Sequence, residues 1–314
     1  MSDANNQLNL FDLYLPLPFR VVLLINFGIL LWHINLITCL KSNPSKDSSR
    51  LTETIKRVVR GNIDINLRNN DILLTDTLTS YNKVLVDFLV YVSALALGIQ
   101  SIPKGTNLSK ELTKNHLQIY NLDLLFANFP SLLRLKQCLI EYKSSNKHNS
   151  THLFNAIKYS TAFLPTAAMI LFKSGFIKGQ TLWYFAMFIN STYSFYWDIS
   201  NDWNFGFFSK FLSNKSNTVY LRNKLIYSRT FYIIAILIDF SLRYIWMLKL
   251  LYLNSNSTSS LKVFSVMLFT TEMGNFILEI LEIFRRWVWV FIKVETEYVK
   301  IVTSEEYIEM QNLD

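Results

Sequence analysis

The stretch that decides the fold is LEILEIFRRWVWVFIKVETEY, residues 278–298, an apolar run with four ionisable side chains in its first half. They are Glu279, Glu282, Arg285 and Arg286. One charge at the centre of a spanning helix costs roughly 2.5–3.5 kcal/mol on insertion scales, so such residues usually face a protein interior or a water-filled path. Spacings of three and four residues place Glu282 on one helical face with Arg285 and Arg286. Paired arginines suit the binding of an anion through a fork of donors.

The composition around this stretch is that of an integral membrane protein. Of the 314 residues, 51% are hydrophobic and only 17% are charged, below the roughly 25% of soluble domains. The apolar residues come in long runs, which predicts an all-α fold, a polytopic bundle of transmembrane helices. The net charge of +8 is not gathered in a nucleic-acid-binding motif. We therefore expect no nucleic-acid partner, and assign the excess charge to cytosolic loops.

About seven segments have the roughly 20 residues that a bilayer crossing requires. They cover residues 19–40, 76–99, 117–140, 157–174, 180–200, 226–251 and 263–292. The third contains Asn121, Asp123, Asn128 and Pro130, and we expect it to be broken or to lie at the membrane interface. The loops 41–70, 134–158 and 209–229 are basic and are predicted to be cytosolic, whereas the loop 252–261 is nearly uncharged. Alternating spans then place the N-terminus in the lumen or outside and the C-terminus in the cytosol. The lysines of the loop 100–116 are a mild conflict with its lumenal assignment.

Four further polar clusters interrupt the apolar runs. They are LLTDTLTSY (73–81), NAIKYSTAFLP (155–165), WDISNDW (197–203) and IDFSLRYIW (238–246). Each cluster also has a purely structural interpretation. In the first, Asp76 caps a helix, and in the second, Lys158 extends from a helix end to water. In the third, the aspartates are solvated between interfacial tryptophans, and in the fourth, Asp239 and Arg243 form an i,i+4 pair that neutralises itself. Together they place ionisable groups of both signs on at least four spans. A central polar pathway in a helical bundle would require this arrangement.

The chain lacks the sequence patterns of known catalytic sites. It has no Ser-His-Asp constellation, no glycine-rich phosphate loop and no histidine pair at metal spacing. Asp198 and Asp202 are spaced to hold a divalent metal for lipid head-group transfer, but no further carboxylates lie at nearby spacing. We therefore predict no enzyme, no metal and no cofactor.

Seven segments carry a family resemblance in their order along the chain. They are LPLPFRVVLLINFGILLW, LLTDTLTSY, FPSLLRLKQCLIEYK, NAIKYSTAF, YWDISNDWNF, DFSLRYIW and EIFRRWVWVFIKVETEY. Together they resemble the EXS family of membrane proteins, which includes eukaryotic phosphate exporters and short yeast proteins named for defective retention of ER proteins. In the exporters a helical bundle encloses a phosphate pathway. The resemblance implies that such a pathway is lined here by Asp76, Lys158, Tyr159, Asp198, Asp202, Arg243, Trp246, Glu282, Arg285 and Arg286.

The resemblance also implies a domain organisation and a function. It predicts a short tail over 1–18, an EXS-type transmembrane domain over 19–300 and an acidic cytosolic tail over 301–314, without the SPX sensor domain of the large exporters. The short members imply return of inorganic phosphate from the Golgi lumen to the cytosol. They also imply a role in retaining ER lumenal proteins and recycling Golgi glycosyltransferases. The expected location is the Golgi membrane, and cycling with the ER stays open.

Two functional hypotheses follow. In the transport hypothesis the basic side chains bind the anion, the carboxylates orient them and accept the phosphate proton, and Tyr159 and Trp246 shape the path. In the alternative, the chain is a non-transporting scaffold that holds Golgi enzymes or their cytosolic sorting adaptor through the basic loop 41–70. The sequence leaves open a homodimer, the choice between channel and alternating access, and the role of Glu279.

Overall fold

The computed structural model describes residue 15 and residues 17–35, 47–64, 67–96, 122–145, 150–208, 220–253 and 260–311. All regular elements within these ranges are helical, which confirms the all-α prediction. The tail up to residue 14, the loop 100–116 and most of the loop 252–261 lie outside the described residues. Parts of the first three predicted spans and of the three basic loops also lie outside them.

The helices are numbered along the described chain. They are α1 Leu17–Asn35, α2 Asp47–Val59, α3 Arg68–Ser80, α4 Asn82–Ala96, α5 Leu122–Ala127, α6 Phe129–Ser144, α7 Ser150–Thr161, α8 Phe163–Lys173, α9 Thr181–Trp197, α10 Arg229–Arg243, α11 Leu248–Leu253, α12 Ser260–Thr270 and α13 Glu272–Gln311. A π-helical turn, Asp198–Asp202, extends α9, and a 3₁₀ turn, Ile245–Met247, joins α10 to α11.

Five of the predicted spans are broken helices rather than single ones. The breaks fall at Tyr81, Asn128, Ala162, Tyr244 and Thr271. Proline begins two of the new helices, Pro130 in the first turn of α6 and Pro165 in that of α8, because a residue without a backbone N–H is tolerated there. At membrane depth, interrupted helices are tolerated where they are buried in protein or line a cavity. The five residues at the breaks are half-buried, and Ser80, Ala162 and Arg243, at or beside three of them, line one cavity.

The sharpest break is the bend between α12 and α13. The segments Leu261–Thr270 and Glu272–Thr303 meet at 86°, so the predicted span 263–292 is not one straight helix. Gly274 allows this bend, since a Cβ atom there would lie 2.3 Å from the carbonyl oxygen of Leu268. That atom belongs to the backbone and has no side-chain freedom with which to move away.

Among the described helices, α1 is the one whose length and apolar composition suffice to cross a bilayer by itself. The bent pair α12 and α13 passes the same test when it is taken as one span. Large exposed side chains on other helices, such as Phe185, Ile233 and Leu237, are also typical of a surface that contacts lipid. The count of seven spans and the sides of the two termini stay predictions.

α13 is the central helix of the bundle and packs against α1, α3, α10 and α12. Its residues Trp289 and Ile292 are fully buried in one core with Trp203 and Tyr232. A second core joins Ile283 of α13 to α1 and α4. Because apolar packing holds α13 on several sides, Arg285 and Arg286 are fixed in the middle of the bundle.

An ion pair attaches the amphipathic helix α2 to α3. The fully buried Asp71 accepts hydrogen bonds from Nε and Nη2 of Arg57 at 2.8–3.0 Å and from the backbone N–H of Asp64 at 2.9 Å. The hydrogen bond to Asp71 raises the pKa of the Arg57 guanidinium above its usual value. This member of the basic loop 41–70 is thus bound within the protein.

Candidate functional site

A cavity of about 400 Å³ lies between the ends of the broken helices. Among the described residues its charged wall consists of six basic side chains and two acidic ones, namely Lys83, Lys158, Arg243, Lys249, Arg285 and Arg286 with Glu279 and Glu282. Hydroxyl and amide groups complete the polar wall, from Thr79, Ser80, Asn82, Ser131, Asn190, Ser191, Ser194 and Asn275. The excess of positive charge and the many donors suit a small anion.

The two adjacent arginines of α13 have different partners. Arg285 donates to Glu282 at 2.5 and 3.0 Å and to Asp239 at 2.8 Å, so two carboxylates balance its charge. Arg286 donates to hydroxyl groups only, at 2.9 Å to Ser80 and at 3.0 Å to Thr79. No ion pair to Arg286 occurs within the described part of the chain. Arg286 therefore offers the cavity a positive charge that no carboxylate neutralises directly.

Asp239 joins the arginines of two helices. Its carboxylate accepts from Arg243 Nε at 3.0–3.2 Å within α10 and from Arg285 of α13 at 2.8 Å. The sequence predicts only the first of these contacts, the i,i+4 pair. With 2% exposure, Asp239 is screened from water and fixes both guanidinium planes where the two helices meet.

Asp198 and Asp202 stand behind the cations of the cavity. Asp198 is fully buried and accepts from Lys158 at 2.8 Å and from Arg243. Asp202 lies 3.4 Å from Lys158 and 3.3 Å from Lys293. The interpretation of these aspartates as solvated residues is wrong, because both are at most 9% exposed.

The π-helical turn explains how both aspartates reach the interior. Wider π turns are rare and are found mostly at functional sites. Here the turn comprises Asp198–Asp202. Trp197 and Trp203, which flank it, are 5% and 0% exposed and pack inside the bundle, so they are not interfacial anchors. No group of three His, Cys, Asp or Glu side chains arranged for a metal is found in the described ranges.

Asp76 forms a third buried cluster with residues of α6 and α7. It accepts hydrogen bonds from Tyr159 Oη at 2.5 Å and from Arg134 Nε at 3.0 Å. Asp76 and Arg134 are each 2% exposed. Asp76 lies well inside α3, so the helix-cap interpretation is wrong. Lys158 likewise points into an ion pair instead of snorkelling out of the bundle.

Arg134 is one of the residues that the sequence does not assign to the site, because its number places it among the charges of the predicted loop 134–158. The structure places it in α6, buried against Asp76. A signal was present in the segment FPSLLRLKQCLIEYK, where Arg134 lies between leucines and three residues before Gln137. Gln137 Oε1 indeed accepts from Arg134 at 3.2 Å.

Trp246 forms part of the aromatic wall of the cavity. Its Nε1 donates to Ser191 Oγ at 3.0 Å, and its ring lies 6.2 and 6.4 Å from the rings of Tyr184 and Trp183. Lys249 lies about 5 Å from the rings of Trp183 and Phe269. Lys249 lies in an apolar run that the sequence assigns to a span. A charged residue in such a run usually faces a protein interior or a water-filled path, so the sequence did contain a signal that Lys249 belongs to the site.

The structure thus divides the ten predicted pathway residues into two groups. Those that line the cavity are Lys158, Tyr159, Arg243, Trp246, Glu282, Arg285 and Arg286. Those that support them from behind are Asp76, Asp198 and Asp202. The cavity also includes three charged residues that the prediction did not assign to the pathway, Lys83, Lys249 and Glu279.

Residues 40–299 match the model of the EXS family. The chain belongs to the EXS family. This confirms the resemblance, and the matched region of this EXS chain contains all the described residues that line the cavity.

Curated relatives of this EXS chain come from yeasts and from animals. It is 36% identical to Protein ERD1 of Kluyveromyces lactis over 246 residues, which are 74% of the chain and 59% of the relative. With Protein ERD1 of Saccharomyces cerevisiae it shares 34% over 244 residues, 74% of the chain and 56% of the relative. With human solute carrier family 53 member 1 it shares 30% over 240 residues, 73% of the chain and 32% of the relative. The chain therefore spans less than two thirds of the length of these relatives.

Proposed function

We propose that this chain is a carrier that moves inorganic phosphate across the Golgi membrane from the lumen to the cytosol. The observation that carries the proposal is Arg286, a buried cation in a basic cavity with hydroxyl partners only. A relative named as a solute carrier supports transport as the kind of activity. The Golgi membrane and the direction of transport come from the resemblance to the short yeast members.

The geometry suits an anion that must bind and leave again. Ion pairs with carboxylates hold the side chains of Arg285 and Arg243 in place at the cavity wall. An anion that binds them therefore does not have to order these side chains first. Arg286 exchanges its hydroxyl partners for phosphate oxygens, which are stronger acceptors. The nearby Glu282 keeps the net attraction moderate, and moderate attraction is required for conduction as opposed to trapping.

We assign to the buried aspartates the role of holding the cavity-lining side chains in place from outside the cavity. Asp198 holds Lys158 and Arg243 together, and Asp76 fixes the hydroxyl of Tyr159. Each aspartate offsets a buried positive charge that would otherwise be costly in a low-dielectric interior. In this proposal, retention of ER proteins and recycling of glycosyltransferases depend on removal of phosphate from the lumen.

The scaffold hypothesis is supported by the outer face of α2. Lys56 and Arg60 are exposed there beside Ile55 and Val59, a mixed surface of the kind that protein partners use. It predicts that Lys56→Gln with Arg60→Gln abolishes function in cells, whereas substitutions of cavity arginines are tolerated. Transport predicts the reverse, so one set of variants decides between the two.

The direct test is uptake of labelled phosphate by liposomes that contain the purified protein. Arg286→Gln removes the unpaired charge and keeps an amide donor, so we expect the rate to fall at least about tenfold, the effect of losing one charge-assisted contact. Arg229→Gln is the matched control, because Arg229 is an exposed arginine at the start of α10, and it should transport like the unchanged protein. Absence of phosphate uptake by the unchanged protein, or equal uptake by Arg286→Gln, contradicts the proposal.

A further inference from the structure

Glu279 is a carboxylate that faces the cavity without a partner. It lies on α13, is 8% exposed and belongs to the cavity wall. Within the described residues its side chain takes part in no hydrogen bond and no ion pair. Its oxygens are not among the buried atoms that are sealed from solvent, so they reach the open space of the cavity. A carboxylate that is mostly buried loses part of its hydration free energy unless a partner supplies hydrogen bonds. Such a group in a cavity wall points to a ligand that supplies the missing bond.

The acidic residues that pair with the cations at and behind the arginine end of the wall are already engaged. Four of them do not line the cavity, namely Asp76, Asp198, Asp202 and Asp239. Glu282 does line it, but both of its oxygens accept from Arg285, and one of them also accepts from Ser80. Glu279 is therefore the carboxylate of the described wall whose acceptor capacity is wholly unused.

The surroundings of Glu279 are charged. Lys83 of α4 and Lys249 of α11 line the same cavity. Further charges act on Glu279 from the packed helices, namely Asp87 of α4, Arg20 of α1 and Glu272 of α13. Seven residues, two helical turns or about 10 Å, separate Glu279 from Arg286 along α13. That distance leaves room for an anion position distinct from the one at the arginines.

We propose that Glu279, Lys83 and Lys249 form a second anion subsite, in which Glu279 accepts a hydrogen bond from the P–O–H group of hydrogen phosphate and thereby excludes sulfate. The inference rests on the proposed function and names what selects the anion. Phosphate near neutral pH carries at least one P–O–H donor, whereas sulfate presents acceptor oxygens only. A carboxylate opposite sulfate brings two acceptors together with no proton between them, and this unmatched contact rejects the ion. The two lysines supply the attraction that both anions share.

The test compares phosphate with sulfate in Glu279→Gln, which keeps the shape of the side chain and adds an amide donor. Two measurements are made on the purified protein, uptake of each labelled anion by liposomes and competition of sulfate against labelled phosphate at equilibrium in detergent. We expect the preference for phosphate over sulfate to fall at least about tenfold in both, the effect of losing one hydrogen bond to a charged group. Asp87→Asn is the matched control, because Asp87 neighbours Glu279 but does not line the cavity, and it should keep the preference.

The outcomes separate the inference from the proposed function. If Glu279→Gln keeps the preference while the unchanged protein transports phosphate, the inference is overturned and the proposed function stands. If the unchanged protein binds phosphate in preference to sulfate but transports neither, the proposed function fails, and the binding ratio of Glu279→Gln still decides the inference. An equal loss of preference in Asp87→Asn overturns the assignment to Glu279, because removal of any negative charge nearby would then suffice.

Discussion

Arg134 is the residue whose removal should cost the fold most among the buried ion pairs of α3 and α6. Its guanidinium lies 3.0 Å from the carboxylate of Asp76, and both side chains are 3% exposed. Breaking a buried pair by removal of one partner leaves an uncompensated charge, which typically costs about 3–5 kcal/mol. The same guanidinium approaches Tyr159 of the cavity wall at 3.4 Å, so stability and the shape of the site are coupled here.

We therefore predict that Arg134→Gln lowers the free energy of unfolding by about 3 kcal/mol. The measurement is denaturant unfolding of the purified protein in detergent micelles. The control is the double variant Arg134→Gln with Asp76→Asn, which removes both charges and should be less destabilised than the sum of the two single variants. Additive losses in this cycle would show that the two side chains do not interact.

The interrupted helices determine where the site lies, because functional side chains occupy the last turns before the breaks. Ser80 ends α3, Lys158 and Tyr159 lie in the last turn of α7, and Arg243 ends α10. Transporter sites are often built from discontinuous helices of this kind. The sequence predicts the apolar segments well, and the polar residues of 117–140 indicate the break in that segment. The other four broken pairs are each predicted as one span, because hydropathy averages over a short break.

The bend between α12 and α13 supplies the prediction at this scale. Gly274→Ala places a methyl group within 2.5 Å of two carbonyl oxygens, those of Leu268 and Met267, and the backbone must shift to relieve it. We expect a loss of about 2 kcal/mol or more in the free energy of unfolding. Phosphate uptake should fall as well, since α13 carries two of the three arginines that line the cavity.

Thr270→Ala is the control for this prediction. Thr270 is exposed at the end of α12, and its hydroxyl donates only to the carbonyl oxygen of Val266, so the change should stay within about 0.5 kcal/mol. If Gly274→Ala is as stable as Thr270→Ala, the bend is not maintained by the close approach of the two backbones.

The distribution of basic loops predicts how the whole molecule is oriented in the membrane, because loops rich in Lys and Arg are expected on the cytosolic side. We predict that an epitope placed after residue 311 is open to antibody in sealed membrane vesicles that carry the protein, whereas an epitope in the loop 100–116 is protected until detergent is added. An epitope in the basic loop 209–219 serves as the cytosolic control. Exposure of the 100–116 epitope in sealed vesicles would contradict the seven alternating spans, and its three lysines would then explain why.

The amino-acid sequence by itself determined the helical class, the polar clusters and the short-range pairs. Glu282 with Arg285 and Asp239 with Arg243 follow from spacings of three and four residues, which bring side chains together in any α-helix. Membership of the EXS family was predictable for a similar reason, because the motifs are contiguous segments that keep their order. These inferences do not depend on which helices pack against each other.

Only the tertiary structure decided which charges face the cavity and which stand behind it. The contact of Arg134 with Asp76 joins residues 58 positions apart, and that of Arg286 with Ser80 joins residues 206 apart. Such contacts depend on how the apolar faces of several helices pack, and each helix alone offers many equivalent arrangements. The fourth charge of the opening stretch, Glu279, has its meaning for the same reason. No Lys or Arg lies three or four residues from it along the chain, and only the packing of α1, α4 and α13 decides that it faces the cavity.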